Sequence, residues 1–264
     1  MLVLEHTIGV LAVCTLLGFL AYWKKVLDKR GSLLAVIVGI LIGIFGGILW
    51  LALLVFFLIT SFVATRYKYT LKKERGVQEG KIGERHAKNV LANGLAPTLV
   101  ALFSFEGFHL IGEKWMAEVA FVATISVAAS DTVASELGVF SDKTYLITNL
   151  KKRVKPGTHG GVSMLGQSWA LIAAFYTAIT GWVVLFFLPH IYSNSSGNFM
   201  LNDSPPAYSL GLIFIPLAIG FIGCQVDSVL GATLERKGLI SNNAVNLIAT
   251  GSGGLIAWMT LLLL

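Results

Sequence analysis

The chain has 264 residues, of which 55% are hydrophobic and only 13% charged. A soluble domain carries about 25% charged residues, so the composition speaks against a soluble enzyme, a disordered tail or a secreted disulfide scaffold. An all-α polytopic membrane protein, a single domain over 1–264, is expected instead. The net charge is nevertheless +6, from 20 Lys and Arg against 14 Asp and Glu, and the placement of those cations carries the next inference.

The first apolar run, 7–23, follows MLVLEH, which has no Lys or Arg, and precedes Lys24 and Lys25. That is the reverse of a signal peptide's charge order, so an uncleaved helix is expected. Run 31–65 would be about 52 Å long as one helix at about 1.5 Å per residue, against a hydrocarbon core of about 30 Å. Gly46-Gly47 offers a break, giving two short helices, 31–46 and 47–65. Further apolar runs cover 89–105, 115–138, 161–190, 208–233 and 243–264. The total is eight segments, or seven if 31–65 is continuous. Cys14 and Cys224 lie within apolar runs and read as packing residues.

Alternating these segments across a membrane sorts the cations. One set of loops holds Lys24, Lys25, Lys29 and Arg30; then Arg66, Lys68, Lys72, Lys73, Arg75, Lys81, Arg85 and Lys88; then Lys143, Lys151, Lys152, Arg153 and Lys155; then Arg236 and Lys237. Only Lys114 falls opposite. The positive-inside rule therefore predicts a multi-pass protein with its basic loops in the cytoplasm (or stroma) and both termini on the other side. The opposite loop 191–207 has no cation, and its Asn-x-Ser strings at Asn194 and Asn202 read as an ordinary polar loop outside a eukaryotic secretory setting. Glu106, His109, Glu113 and Glu118 fall near that same side and read as solvated. Gly39 and Gly43 read as helix-packing positions.

Polar residues within membrane spans are costly, so their positions are informative. They cluster in five places, all toward the basic ends of the helices. In RHAKNVLANG, Arg85, Asn89 and Asn93 recur every four residues and share a helical face, as interhelical glue or as ligand contacts. In AASDTVASELG, Asp131 and Ser135 stack one turn apart, as do Thr132 and Glu136; with Ser130 they form an oxygen-rich set suited to a divalent cation. The plainer reading is a pair of carboxylates snorkelling toward water.

In KKRVKPGTHGGVSMLG, cations and a glycine-rich segment lead into a helix start. Backbone N–H groups there, with Lys155 and His159, suit a phosphate; no Walker motif is present. In GCQVDSVLGATLE, Asp227, Gly231 and Glu235 lie on one face with Ser228 adjacent, and Asp227 needs a cation, a metal or donors from another helix. In SNNAVNLIATGSGG, Asn242 and Asn246 share a face beside Asn243, while Gly251, Gly253 and Gly254 read as packing positions.

Together, Arg85–Gly94, SDTVASELG, KPGTHGGVS, DSVLGATLE and NNAVN, in this order, resemble the integral membrane family that includes plant and cyanobacterial phytyl-phosphate kinase and the vertebrate transmembrane-protein-nineteen relatives. The match runs from about residue 30 to near the end of the chain. The PGTHGG segment is also similar to the Pro-Gly-His-Gly-Gly loop of a wider CTP-using group, which includes phosphatidate cytidylyltransferase and the dolichol and phytol kinases. Thr158 is an insertion relative to that loop.

The resemblance implies a CTP-dependent kinase that converts an isoprenyl (phytyl) monophosphate to the diphosphate, a step feeding tocopherol synthesis in plants. Mg²⁺ is the expected cofactor, because a polyphosphate with this ion would use both the cations and the carboxylates, with Asp131, Glu136 and Asp227 as its candidate ligands. Lys155 and His159 join the two aspartates as catalytic candidates. Pro156, Gly157, Thr158, Gly160, Gly161 and Ser163 would cradle phosphates; Arg85, Lys88, Asn89 and Asn93 would meet phosphate or lipid headgroup; Asn242, Asn243 and Asn246 would complete the polar wall. The expected partners are the bilayer, an isoprenyl monophosphate and a nucleoside triphosphate, with no nucleic acid. A polyprenol kinase or a CTP:lipid-phosphate cytidylyltransferase would suit the same residues, and a transporter of lipid phosphate or ions is the alternative of another class.

Overall fold

Hydrophobic runs of the length just read become helices, as the computed structural model, which describes residues 2–105, 113–189 and 210–263, makes plain. They are α1 (Leu2–Trp23), α2 (Lys29–Phe45), α3 (Ile48–Arg66), a short α4 (Tyr69–Glu74), α5 (Ala87–Phe103), α6 (Lys114–Gly138), α7 (Met164–Trp182), α8 (Phe214–Leu230) and α9 (Asn242–Leu262). Helices α7 and α8 each run on into a π-helical turn, Val183–Phe187 and Gly231–Glu235. Six of them, α1, α3, α6, α7, α8 and α9, are long and apolar enough to cross a membrane. Helices α2 and α5 have 17 residues each, about 26 Å, and pack against one another. The protein is an all-α polytopic membrane protein.

The break in 31–65 falls at the two glycines. Gly46 N–H closes α2 on the Ile42 carbonyl (2.8 Å), and Gly47 has φ +97°, a conformation that a side chain would strain. The chain thus reverses between α2 and α3. Asn194, Asn202, Glu106 and His109 lie outside the described residues. Glu113 is exposed, but Glu118 is half-buried because it sits on the second turn of α6.

Helix α6 is the axis of the bundle: α3, α5, α7, α8 and α9 all pack on it, and it is buried along most of its length. Its sequence suits that position, with Ala117, Ala120, Ala123, Ser126, Ala128 and Ala129 buried. Lipid gives helices no hydrophobic reason to associate, so close van der Waals packing across small residues has to do it. At Gly220 of α8 a Cβ would lie 2.0 Å from Ser126 Oγ, and at Gly253 of α9 one would lie 2.6 Å from Val127. Gly39 and Gly43 of α2 likewise receive Cys14 and Val10 of α1, whereas Gly251 faces open space and packs on nothing. Both cysteines are buried and unpaired.

Between α6 and α7 lies an element absent from the sequence reading. Strands β1 (Thr144–Leu146), β2 (Asn149–Val154) and β3 (Gly161–Val162) form an antiparallel sheet of order β2-β1-β3, with Tyr145 opposite both Arg153 and Val162. Strand β2 has no apolar alternation because nearly all of it is exposed, so its sequence reads only as a basic stretch.

The four basic connections meet at one end of the bundle. Asp28 N–H donates to the Arg85 carbonyl and Arg85 N–H to the Val26 carbonyl, both at 3.0 Å. Arg75 Nη1 donates to the Val139 carbonyl at 3.0 Å. Asp28 also caps α2 through Gly31 N–H (2.6 Å) and meets His86 Nδ1 at 2.8 Å, which holds its carboxyl below the usual carboxylate range.

Because the bundle rests on close backbone approach, Gly220→Leu should destabilise it by about 1–3 kcal/mol, the usual cost of overpacking. Gly251→Leu, with open space at its Cβ, should be near neutral. Thermal unfolding of the detergent-solubilised variants compares the two directly.

Candidate active site at the basic end of the bundle

A polar cavity of about 500 Å³ lies where the four connections meet. Its walls come from α5, α6, α8, α9, the loop before α5 and the glycine-rich segment before α7. Asp131 projects from α6, two turns before that helix ends, and Asp227 from α8; their carboxyl groups are in hydrogen-bonding contact. Two carboxylates so placed must share a proton or a cation. Oriented with its nitrogen toward acceptors, the Asn246 amide donates to Asp227 Oδ2 (3.1 Å) and to the Asn242 carbonyl (3.0 Å). Helix α9 thereby supplies the donor that a carboxylate inside a span requires.

The glycine-rich segment folds on itself before it meets the helices. Thr158 N–H and Oγ1 both donate to the Lys155 carbonyl (3.1 and 2.7 Å), and Gly161 N–H donates to the Thr158 carbonyl (2.8 Å). The amides of Gly157, His159 and Gly160 take no part in these bonds. Gly160 has φ +70°, and a Cβ there would lie 2.4 Å from the backbone nitrogen of Ala232. Only glycine lets the loop lie directly on α8. His159 Nδ1 then reaches Glu235 Oε1 at 3.1 Å, which anchors the loop to the π-helical end of α8. Ser163 caps α7 through Gly166 N–H (3.1 Å), so that helix opens toward the cavity.

Arg85 lines the cavity from a different local structure than expected. Helix α5 begins at Ala87 with His86 as its cap, so Arg85 precedes the helix and is held by the Val26 and Asp28 backbone. Its Nη2 donates to Thr65 Oγ1 (3.4 Å), while its Nε is buried without a partner. Asn89 donates to Glu79 Oε1 (3.3 Å), and Asn93 donates to the Asn89 carbonyl (3.2 Å). Burial pushes the Glu79 carboxyl above its usual range, with nearby Arg85 working against it.

Glu136 faces the cavity, yet both its oxygens are engaged. Lys72 Nζ lies 2.6 Å from Oε2 and Thr65 Oγ1 donates to Oε1 at 2.9 Å. Lys72 completes its bonds on the carbonyls of Ala64 (2.8 Å) and Thr65 (3.1 Å). The Lys72 side chain is 0% exposed and that of Glu136 10%. Burial draws the ammonium's pKa down, and Glu136 opposes that. The metal-ligand role expected of Glu136 is therefore taken over by an ion pair joining α4 to α6. Lys72, grouped by sequence with the loop cations, is in the core.

Of the residues singled out, Arg85, Asn89, Asn93, Asp131, Thr132, Ser135, Glu136, Gly157, Thr158, His159, Gly160, Gly161, Ser163, Asp227, Ser228, Gly231, Glu235, Asn242 and Asn246 line this cavity. Lys88, Ser130, Lys155, Pro156 and Asn243 do not. Lys88 and Asn243 each adjoin an asparagine that faces inward, and neighbouring helical positions point about 100° apart. Lys155 is exposed at the end of β2, and the chain first reaches the cavity at Gly157. Sequence reasoning passed over Glu79, Thr65 and Gln167. Glu79 gave only a faint signal, as an acid in a linker otherwise read for its cations. Among the described residues, no group of three or more His, Cys, Asp or Glu is gathered as for a metal ion.

A polytopic bundle with a buried acidic pair beside a glycine loop defines a class of integral membrane protein, and comparison narrows it. Residues 12–254 match the model of the family described as integral membrane protein DUF92, and the chain belongs to that family. It is 31% identical to an uncharacterized membrane protein of Methanocaldococcus jannaschii over 94% of this chain and 91% of that one. It is 30% identical to protein PGR of Arabidopsis thaliana over 87% and 79% of the two chains. With the chloroplastic protein VTE6 of the same plant the identity is 27%, over 74% of this chain and 53% of VTE6. The family resemblance read from the motifs is thus borne out. No solved structure matches.

Lys72→Met leaves Glu136 as an unpaired buried charge and should cost about 3–5 kcal/mol. Adding Glu136→Leu should recover most of that loss, since an apolar pair can replace a buried ion pair. Unfolding midpoints of the single and double variants in detergent test it; equal midpoints for wild type and Lys72→Met would refute the pairing.

Proposed function

We propose that this protein is a membrane phosphotransferase that moves the γ-phosphoryl group of a nucleoside triphosphate onto an isoprenyl monophosphate, forming the prenyl diphosphate. The observation that carries this reading is the contact between Asp131 and Asp227 inside a cavity otherwise lined by a glycine loop, amides and Arg85. The motif resemblance to phytyl-phosphate kinase supplies the finer assignments: CTP as donor and phytyl phosphate as a candidate acceptor. The positive-inside rule supports a site facing the cytoplasm or its stromal equivalent, with the termini opposite.

The chemistry asks for positioning and charge neutralisation more than for a strong base, because a phosphate monoester is already an anion near neutral pH. An oxygen of the lipid phosphate attacks the γ-phosphorus in line, the bond from that phosphorus to the β–γ bridging oxygen breaks, and the nucleoside diphosphate leaves. Asp131 and Asp227 would hold Mg²⁺. Two carboxylates fit that ion, which binds through one or two of them plus substrate phosphates rather than in an all-protein cage. When bound it neutralises charge on the phosphate oxygens. The Gly157, His159 and Gly160 amides and the opening turn of α7 suit nucleotide phosphates, and Arg85 with Asn89 suits the acceptor phosphate. Asn246 orients Asp227. His159, tied to Glu235, fixes the loop and presents a polar edge to the cavity.

Purified protein in lipid nanodiscs, given CTP, Mg²⁺ and phytyl or geranylgeranyl monophosphate, should release CDP and the prenyl diphosphate. Pyrophosphate release would instead mark a cytidylyltransferase. Asp131→Asn and Asp227→Asn should each lower turnover by about a hundredfold or more with unfolding midpoints unchanged or raised, whereas Lys155→Ala should leave turnover nearly unchanged. Wild-type turnover in either aspartate variant would sink the assignment.

A further inference from the structure

A second cavity, about 90 Å³ in volume, adjoins the first. It is a narrow slot between α1, α2, α3 and α5, lined by apolar side chains such as Cys14, Ala21, Ala35, Leu54 and Phe57. Its polar wall is Arg85, Asn89 and Asn93, and those three residues also line the large polar cavity. An apolar slot and a polar chamber therefore meet at one guanidinium and two amides.

Two polar atoms at that junction lack partners: Arg85 Nε and Asn93 Oδ1, the latter on a side chain whose residue is 6% exposed. A buried polar atom without a partner is destabilising, and a ligand with complementary atoms would relieve that. One is a cationic donor and the other an acceptor. A monoprotonated phosphate monoester matches both, offering anionic oxygens to Arg85 and its O–H to Asn93.

We propose that the slot holds the head-proximal part of a single isoprenoid or alkyl chain whose phosphate lies against Arg85, Asn89 and Asn93. The inference rests on the proposed function only for the fate of that phosphate; the binding itself stands on the two cavities and their shared residues. The size sets the class of ligand. An engineered apolar cavity of about 150 Å³ accepts benzene, so this slot takes roughly one branched five-carbon unit and has no room for the two chains of a diacyl lipid. The remainder of the chain runs on into the bilayer beside α1, whose main packing partner is α2. Selection is then for a single-chain phosphate, made at its head and first unit.

The test uses the full-length protein in nanodiscs and a farnesyl monophosphate carrying a diazirine on its first isoprene unit. Photolabelling should fall on the slot-lining residues of α1, α2, α3 and α5. Farnesyl monophosphate should compete about tenfold better than farnesol or dioleoyl phosphatidic acid, about 1.4 kcal/mol, and Arg85→Ala should erase the advantage over farnesol. Ala35→Phe, which fills the slot, should remove the label. Leu54→Ala, which removes atoms instead of adding them, should admit a probe with a phenyl-substituted first unit that the wild type excludes. Labelling spread over the lipid-facing sides of other helices, or equal competition by phosphatidic acid, would overturn the slot. Slot labelling without nucleotide-dependent product would sink the kinase reading alone, and product formation with labelling elsewhere would sink the slot alone.

Discussion

The approach of α7, α8 and α9 to the small-residue surface of α6 is the constraint on which the rest of this protein depends. Lipid does not drive helices together as water does, so their contact relies on atoms that fit. Glycine on α8 against Ser126, and on α9 against Val127, permits backbone separations that no larger residue would allow. The site follows from that proximity. Asp131 and Asp227 touch because α6 and α8 touch, and Asn246 reaches Asp227 because α9 packs on both.

Helix α6 keeps two acidic positions apart by geometry alone. Asp131 and Glu136 are five residues apart, about 140° around the helix, so they face different neighbours. Asp131 meets α8 across the cavity, whereas Glu136 turns to α3 and α4, where Lys72 and Thr65 satisfy it. One acid is thus spent on structure, fastening the short α4 to the bundle. The other meets Asp227 at the wall of the cavity.

The junction at Arg85 is built in an analogous way. The residue belongs to no helix, and its position comes from backbone bonds to Val26 and Asp28 in the first basic connection. Through them the α1–α2 hairpin is tied to the start of α5, so that the apolar slot and the polar cavity share one wall. A polar chamber is thereby joined to an apolar slot at one end of the bundle.

Much of this was legible in the order of residues, for physical reasons. Membrane helices must satisfy their own backbone within one continuous apolar segment, so the spans could be read as runs, including the break at Gly46-Gly47. The one-sided distribution of cations followed once the runs were counted. Asp131, Asp227 and the glycine loop stood out because polar groups in such runs need a reason. Other features depended on contacts distant in sequence. Lys72 reads as one cation among eight in its loop, and only the fold brings it 64 residues onward to Glu136. Strand β2 has no buried face to leave an alternating pattern, and Glu79 became part of the site only when its linker folded over Arg85 and Asn89. The sequence by itself determined the membrane, the spans and the kinds of chemistry present. Which acids meet a cation, which meet each other, and which cations never see water were decided by tertiary packing, because each depends on the distance between helices that the chain order leaves open.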